Sequence, residues 1–362
     1  MEQKQDKMAM LDLIIRPAFC VENGVIVRLN KAAEGLLLEP GTPVGSLLAT
    51  GETEYAEFDG GCLYLTLELS GVSQGASVVR MEGFDVFLLE NDDDQAELKA
   101  MALAAQNLRE PLTGIMTMAE RLFPAIEKLD DPAAAEQAAR MNRGLFQMLR
   151  ILGNMSDADR YRNAALFRKE TLDITALMDD LFGKMALMCT HANVELHFTN
   201  LQERIYCLAD SEKLERAVYN ILSNALKFTP KGGRIDARLT RKGTRLYLTV
   251  QDSGCGIPES QRGNVYSRFL RQPGLEDSRQ GIGLGMVLIR SAATAHGGTV
   301  LIEQPQDQGL RITLTIEIRQ SQGNLVRNQG LRVDYAGEWD HSLIELSESL
   351  PASLYREPEE NE

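Results

Sequence analysis

The amino-acid sequence predicts a multidomain α+β protein, and three observations carry that prediction. A chain of 362 residues is too long for one ordinary hydrophobic core, so two or three domains are expected. Short β-like runs separated by turns occupy residues 10 to 91, and from Leu98 the apolar spacing changes to alternating threes and fours. From about residue 165 to 320, strand-like and helical patterns then follow one another around glycine-rich turns. A composition of 44% hydrophobic and 25% charged residues is that of a soluble globular protein.

Residues 10–92 form the first module. PAFCVENGVIVRLN holds two apolar runs around ENG, CLYLTLEL and FDVFLLE have strand composition, and KAAEGLLL between them reads as a short helix. NDDD at 91–94 ends the module and supplies an N-cap for the next element. In pattern and position the module resembles a PAS sensor domain, with an unrelated small α+β domain as the alternative. No haem or flavin handle stands out in it.

Residues 94–160 read as a helical hairpin. Leu98, Met101, Ala105, Leu108, Leu112, Ile115, Ala119 and Leu122 fall on one helical stripe. LDDPAAA, with Pro132, breaks this helix and starts a second, on which Met141, Leu145, Met148, Leu152 and Met155 repeat the spacing. Two such helices have little core of their own. A parallel dimer forming a four-helix bundle is therefore expected, or else a monomeric hairpin packed on a neighbouring domain.

Chemistry concentrates in residues 210 to 290. DSEKLERAVYNILSNALKFTPKGG opens on a capping residue and places Asn220, Asn224 and Lys227 on one helical face. A carboxamide oxygen can ligate Mg²⁺ and an ammonium can neutralise phosphate, so this face suits a metal-nucleotide. In DSGCGIP, Asp252 follows a strand-like run and can accept a hydrogen bond from an exocyclic amine, while Gly254 and Gly256 let backbone approach a base. GIGLGMVLIRSAATAHGG then opens an apolar helix behind Gly281, Gly283 and Gly285, and free N–H groups at a helix start bind phosphate. Singly, each segment is equally well a glycine turn.

In this order and spacing, with KFTPKGG and HGGTVLIE between and after them, the segments resemble the ATP-binding domain of sensor histidine kinases. That is the Bergerat or GHKL fold, an α/β sandwich shared with gyrase and MutL, and the likeness covers about residues 165–320. The resemblance implies ATP and Mg²⁺ as cofactors and makes Asn224 the metal ligand, with Asn220 and Lys227 beside it. It makes Asp252 the adenine reader, Gly254 and Gly256 its turn, and Gly281, Gly283, Leu284 and Gly285 the hinge of a lid over the phosphates. Phe269 matches the lid aromatic, simple packing being its other role. Arg268 and Arg271 are either γ-phosphate contacts or a solvated charge pair. His296 is read as packing. Hydrolytic members carry a glutamate base where Asn220 stands, so fast ATP hydrolysis is not expected.

The same resemblance gives meaning to AAQNLREPLTGI, residues 104 to 115. Leu108, Arg109, Pro111 and Leu112 align with the family's acceptor motif, and Gln106 occupies the position of the acceptor histidine. A carboxamide nitrogen has delocalised its lone pair into the carbonyl and is no nucleophile, whereas neutral imidazole is one. Asn107 replaces the usual acidic base, and no histidine precedes His191. Two functions are therefore expected. One is a two-component signalling protein that binds Mg-ATP, cannot phosphorylate its own hairpin, and acts on a response regulator or a partner kinase. The other is a pseudokinase, a binding or scaffold module without phosphotransfer.

The remaining features bound the partners. A formal charge of −14 disfavours broad nucleic-acid or anionic-membrane surfaces. Apolar stretches stop well short of the roughly 18–20 residues of a membrane span, and no signal peptide is visible. Scattered Cys20, Cys62, Cys189, Cys207 and Cys255 suit a reducing cytoplasm. The expected assemblies are a homodimer or a heterodimer with another kinase, and a response regulator. In the tail, residues 321–362, Leu343, Ile344, Leu346 and Leu350 suit one short amphipathic helix that packs on the ATP domain or docks a partner.

Overall fold

The computed structural model describes residues 10–36, 38–81, 83–90, 93–129, 131–160, 167–256, 284–305, 309–319 and 340–356. The first module begins with β1 (Ala18–Glu22) and β2 (Val25–Leu29), closed by a two-residue turn in which Asn23 and Gly24 both take positive φ. A helix α1 (Glu52–Glu57) precedes β3 (Cys62–Leu69), β4 (Val72–Met81) and β5 (Phe84–Leu89). The strands pair antiparallel in the order β2-β1-β5-β4-β3. Their core holds Ile26, Leu65, Val78 and the stacked rings of Phe19 and Phe87, 4.8 Å apart.

One local expectation is corrected, and one strand was not foreseen. KAAEGLLL is not an α-helix; only a 3-10 turn, Glu34–Leu36, forms there. Asn30 explains this, because its Oδ1 accepts from the Ala18 and Ala33 N–H groups and its Nδ2 donates to the Ile14 and Arg16 carbonyls. The side chain competes with helical bonding for the local backbone. β4 had no clear signal, since Gly75 interrupts its pattern; a Cβ at Gly75 would collide with the Tyr64 hydroxyl.

The hairpin is α2 (Asp93–Glu127) and α3 (Pro132–Arg160). Asp131 starts α3 by accepting from the Ala133 N–H at 2.9 Å. The apolar stripe divides into two rows. Leu98, Ala105, Leu112 and Ala119 are buried against the hairpin, joined by Met116 and Phe123, which the sequence pattern omitted. Leu108, Ile115 and Leu122 are 53%, 53% and 56% exposed. On α3, Leu145 and Leu152 are buried while Met141 and Met148 are exposed.

The last layer is built from β7 (Glu195–Asn200), β9 (Arg234–Lys242), β10 (Arg245–Asp252), β11 (Val300–Glu303) and β12 (Arg311–Glu317), in the order β11-β12-β10-β9-β7. β6 (Glu170–Asp173) and β8 (Tyr206–Ala209) make a separate pair. Helices α4 (Ile174–His191), α5 (Ser211–Phe228) and α6 (Gly285–Ala295) join them to form the layer's core. A short α7 (His341–Glu345) lies near the C-terminus; Leu346 and Leu350 are buried just beyond it and not within it, and Trp339 lies outside the described residues.

The two sheets are one. β3 pairs antiparallel with β11, Cys62 opposite Ile302 and Tyr64 opposite Val300, which makes a ten-stranded sheet. Gly61, at φ 87°, permits this approach, because a Cβ there would sit 2.1 Å from the Ile302 carbonyl oxygen. Behind the seam Arg290 pairs with Glu90 at 3.0 Å and lies over the Tyr64 ring. Arg245 pairs with Glu54 at 3.4 Å.

Candidate functional site

Helix α5 organises the site. Asp210 caps it by accepting from the Lys213 N–H, and its second carboxylate oxygen accepts from the Arg168 N–H. The Asp210 N–H donates to His296 Nε2 at 3.0 Å, and His296 Nδ1 faces the Ala292 carbonyl at 2.7 Å. Nε2 must therefore be the unprotonated nitrogen, and burial lowers the imidazole's pKa from its ordinary value. His296 is thus a buried brace between α6 and the start of α5.

Three sequence motifs converge on the C-terminal half of α5. Asn220 is buried and donates to the Arg216 carbonyl at 2.8 Å. Its Oδ1 lies 2.8 Å from where a Cβ on Gly285 would stand, so only glycine lets the start of α6 approach this amide. Leu284 beside it is buried, and half-buried Asn224 reaches the Met286 sulfur at 4.0 Å. Asp252, at the end of β10, is buried; its Oδ1 accepts from the N–H groups of Gly254 at 2.8 Å and Leu310 at 3.3 Å. Burial raises its pKa above the ordinary carboxylate value, while the two N–H groups oppose the shift. Gly254 sits against the end of α5, where a Cβ would meet the Phe228 carbonyl at 2.5 Å. Gly256 takes φ 69°.

Beside this turn lies a cleft of about 430 Å³ lined by Phe228, Pro230, Ser253, Gly254, Cys255 and Gln304. Asn220, Asn224 and Lys227 are not among the described residues that line it. Phe269, Gly281 and Gly283, with Arg268 and Arg271, lie outside the described residues. Among the described residues no three His, Cys, Asp or Glu side chains cluster as a metal site. A hard cation at this site would rest on the Asn224 amide and on oxygens of the nucleotide. Gln106 and Asn107 are exposed on α2, on the hairpin and not among the α5 motifs.

Sequence reasoning missed a charge cluster next to Lys227. The Lys227 ammonium pairs with Glu348 at 3.2 Å. Arg150 of α3 pairs with Glu348 at 3.2 Å and Glu345 at 3.4 Å, and Arg216 of α5 pairs with Asp157 at 2.9 Å and Glu345 at 3.6 Å. Its members come from residues 150 to 348, a separation that no local spacing bridges.

Residues 209–320 match the family described as histidine kinase-, DNA gyrase B-, and HSP90-like ATPase. The signal transduction histidine-protein kinase/phosphatase MprB of Mycolicibacterium vanbaalenii is 31% identical over 221 residues, covering 60% of this chain and 44% of that protein. The adaptive-response sensory kinase SasA of a Synechococcus strain is 25% identical over 65% of this chain and 62% of its own length. This chain therefore spans between about two-fifths and three-fifths of these relatives. Among solved structures, full-length ShkA in complex with AMPPNP aligns at a TM-score of 0.49 and 21% identity, over 62% of this chain and 46% of that one. With its motifs gathered around α5 inside the matching stretch of sequence, the chain carries at residues 209–320 an ATPase domain of the histidine kinase-, DNA gyrase B- and HSP90-like kind.

Proposed function

We propose that this chain is a two-component signalling protein that binds Mg-ATP on α5 and does not phosphorylate its own hairpin. The observation that carries the reading is the convergence of Asn220, Asn224, Asp252, Gly254 and Gly285 on one helix while Gln106 stands exposed where an acceptor would have to be. In this reading Asp252 receives the adenine amine, Asn224 holds Mg²⁺, and Lys227 meets phosphate. Bound Mg²⁺ would supply charge neutralisation for the phosphates. Asn220 positions α6 through Gly285. The first module is a PAS-like sensor, the exposed rows of α2 and α3 make a dimeric four-helix bundle, and the partners are a response regulator and a second kinase in the cytoplasm. Among the described residues no helix is long and apolar enough to cross a membrane.

A second reading, a binding module without any phosphotransfer, is favoured by the loss of both Gln106 and Asn107 chemistry together with the charge cluster that ties α3 to α5. Calorimetry of the purified chain with Mg-ATP tests the common core of both; absence of binding overturns them. Radiolabelled ATP separates them when a partner kinase that keeps its acceptor histidine but cannot bind ATP is added: labelled partner histidine supports the first, none supports the second.

A further inference from the structure

The segment 340–356 lies in the groove between α3 and α5 and touches both. Ile344, Leu346, Leu350 and Tyr355 are buried, with Tyr355 edge-on to Phe146 of α3 at 5.1 Å. From α3, Arg143 donates to the Ser347 and Glu348 carbonyls, Gln147 to the Ser347 carbonyl and Asn142 to the Tyr355 carbonyl. From α5, the Tyr219 hydroxyl meets Ser342 Oγ at 3.1 Å. At the centre, the cations Arg150, Arg216 and Lys227 face the carboxylates Asp157, Glu345 and Glu348. In these pairs the tail supplies two of the three carboxylates.

We propose that segment 340–356 is a latch closing the hairpin onto the nucleotide helix, and that Glu348 and a nucleotide phosphate exclude one another at Lys227. This rests on the reading that Lys227 faces nucleotide phosphate. Glu348 and Lys227 are both largely out of solvent, with side chains 18% and 8% exposed, so water and salt screen the pair poorly. A polyphosphate brought to the same ammonium places its charge against the Glu348 carboxylate. Like charges at this depth repel, and the weaker-held anion must leave. Release of Glu348 removes one partner from both Lys227 and Arg150, which loosens the tail from α5 and α3 together. The coupling is reciprocal: whatever docks the tail weakens nucleotide, and nucleotide frees the tail. A chain without an acceptor histidine thereby still turns nucleotide occupancy into a change of shape.

The test uses the full chain, wild type and Glu348→Gln, titrated calorimetrically with Mg-ATP, and hydrogen exchange of wild type with and without Mg-ATP. Removing the competing charge is expected to tighten nucleotide about fivefold or more, the lower end of typical coupling. Amides of 340–356 are expected to exchange faster once nucleotide binds. Wild type that binds nucleotide with unchanged tail exchange overturns the latch and leaves the nucleotide site standing. Equal affinities of folded wild type and variant do the same. If neither protein binds nucleotide, the site itself fails and the latch with it.

Discussion

Asp252 and His296 show how single buried groups divide binding from stability. In Asp252→Asn the Oδ1 acceptor for the Gly254 and Leu310 N–H groups is retained, so the turn should keep its shape while the charged acceptor proposed for adenine is lost. A hydrogen bond to a charged group is worth about 1.5–3 kcal/mol, so ATP should bind roughly ten- to a hundredfold more weakly at nearly unchanged melting temperature, read by calorimetry. Gly285→Ala acts through Asn220, whose Oδ1 would lie 2.8 Å from the new Cβ. Overpacking costs about 1–3 kcal/mol, and the displaced amide should weaken nucleotide as well. His296 is neutral in the fold, whereas in the unfolded chain it titrates near its ordinary value of 6.5. Its contribution is intact above that pH and is lost as pH falls below it, because only the unfolded state then takes up the proton. Denaturant midpoints should drop below about pH 6.5 in wild type and drop less in His296→Gln, which can still accept from Asp210 and donate to Ala292. The α5 face was legible because helical spacing alone aligns residues four and seven apart. The Gly285–Asn220 fit was not, since it depends on how α6 meets α5.

Among the helices, the hairpin shows what a periodic pattern leaves open. The spacing of Leu98 through Leu122 marked an apolar stripe but could not say which row the neighbouring helix would cover. Leu112 is buried inside the hairpin and Ile115 is not, so the two positions report different events. Ile115→Glu should leave helicity and melting temperature near wild type while light scattering falls to the monomer mass. Leu112→Glu buries a charge and should unfold the hairpin. A wild-type monomer at micromolar concentration, unchanged by Ile115→Glu, would remove the dimer. The tail shows the opposite limit: its apolar set pointed to a segment packed on the ATP domain, but α7 is only five residues long, and the contacts with α3 were not legible in that pattern.

For the whole molecule, the changes of period were legible in the sequence, but the joining of the segments was not. Which strand edge meets which is decided by backbone exposure and by a glycine such as Gly61, not by alternation. The seam from β3 to β11 has a thermodynamic consequence. Two domains on a loose linker would melt separately, whereas a shared ladder backed by Arg290, Glu90 and Tyr64 makes the stability of each side depend on the other. Scanning calorimetry should show the first module and the ATPase layer unfolding in one transition. Phe87→Ala, a core truncation worth about 3–5 kcal/mol far along the sheet from α5, should lower that shared transition as a whole. Any binding at the α5 site would then fail on heating at the temperature where the first module melts, so a lesion in that module would be inherited by α5 as lost cooperativity.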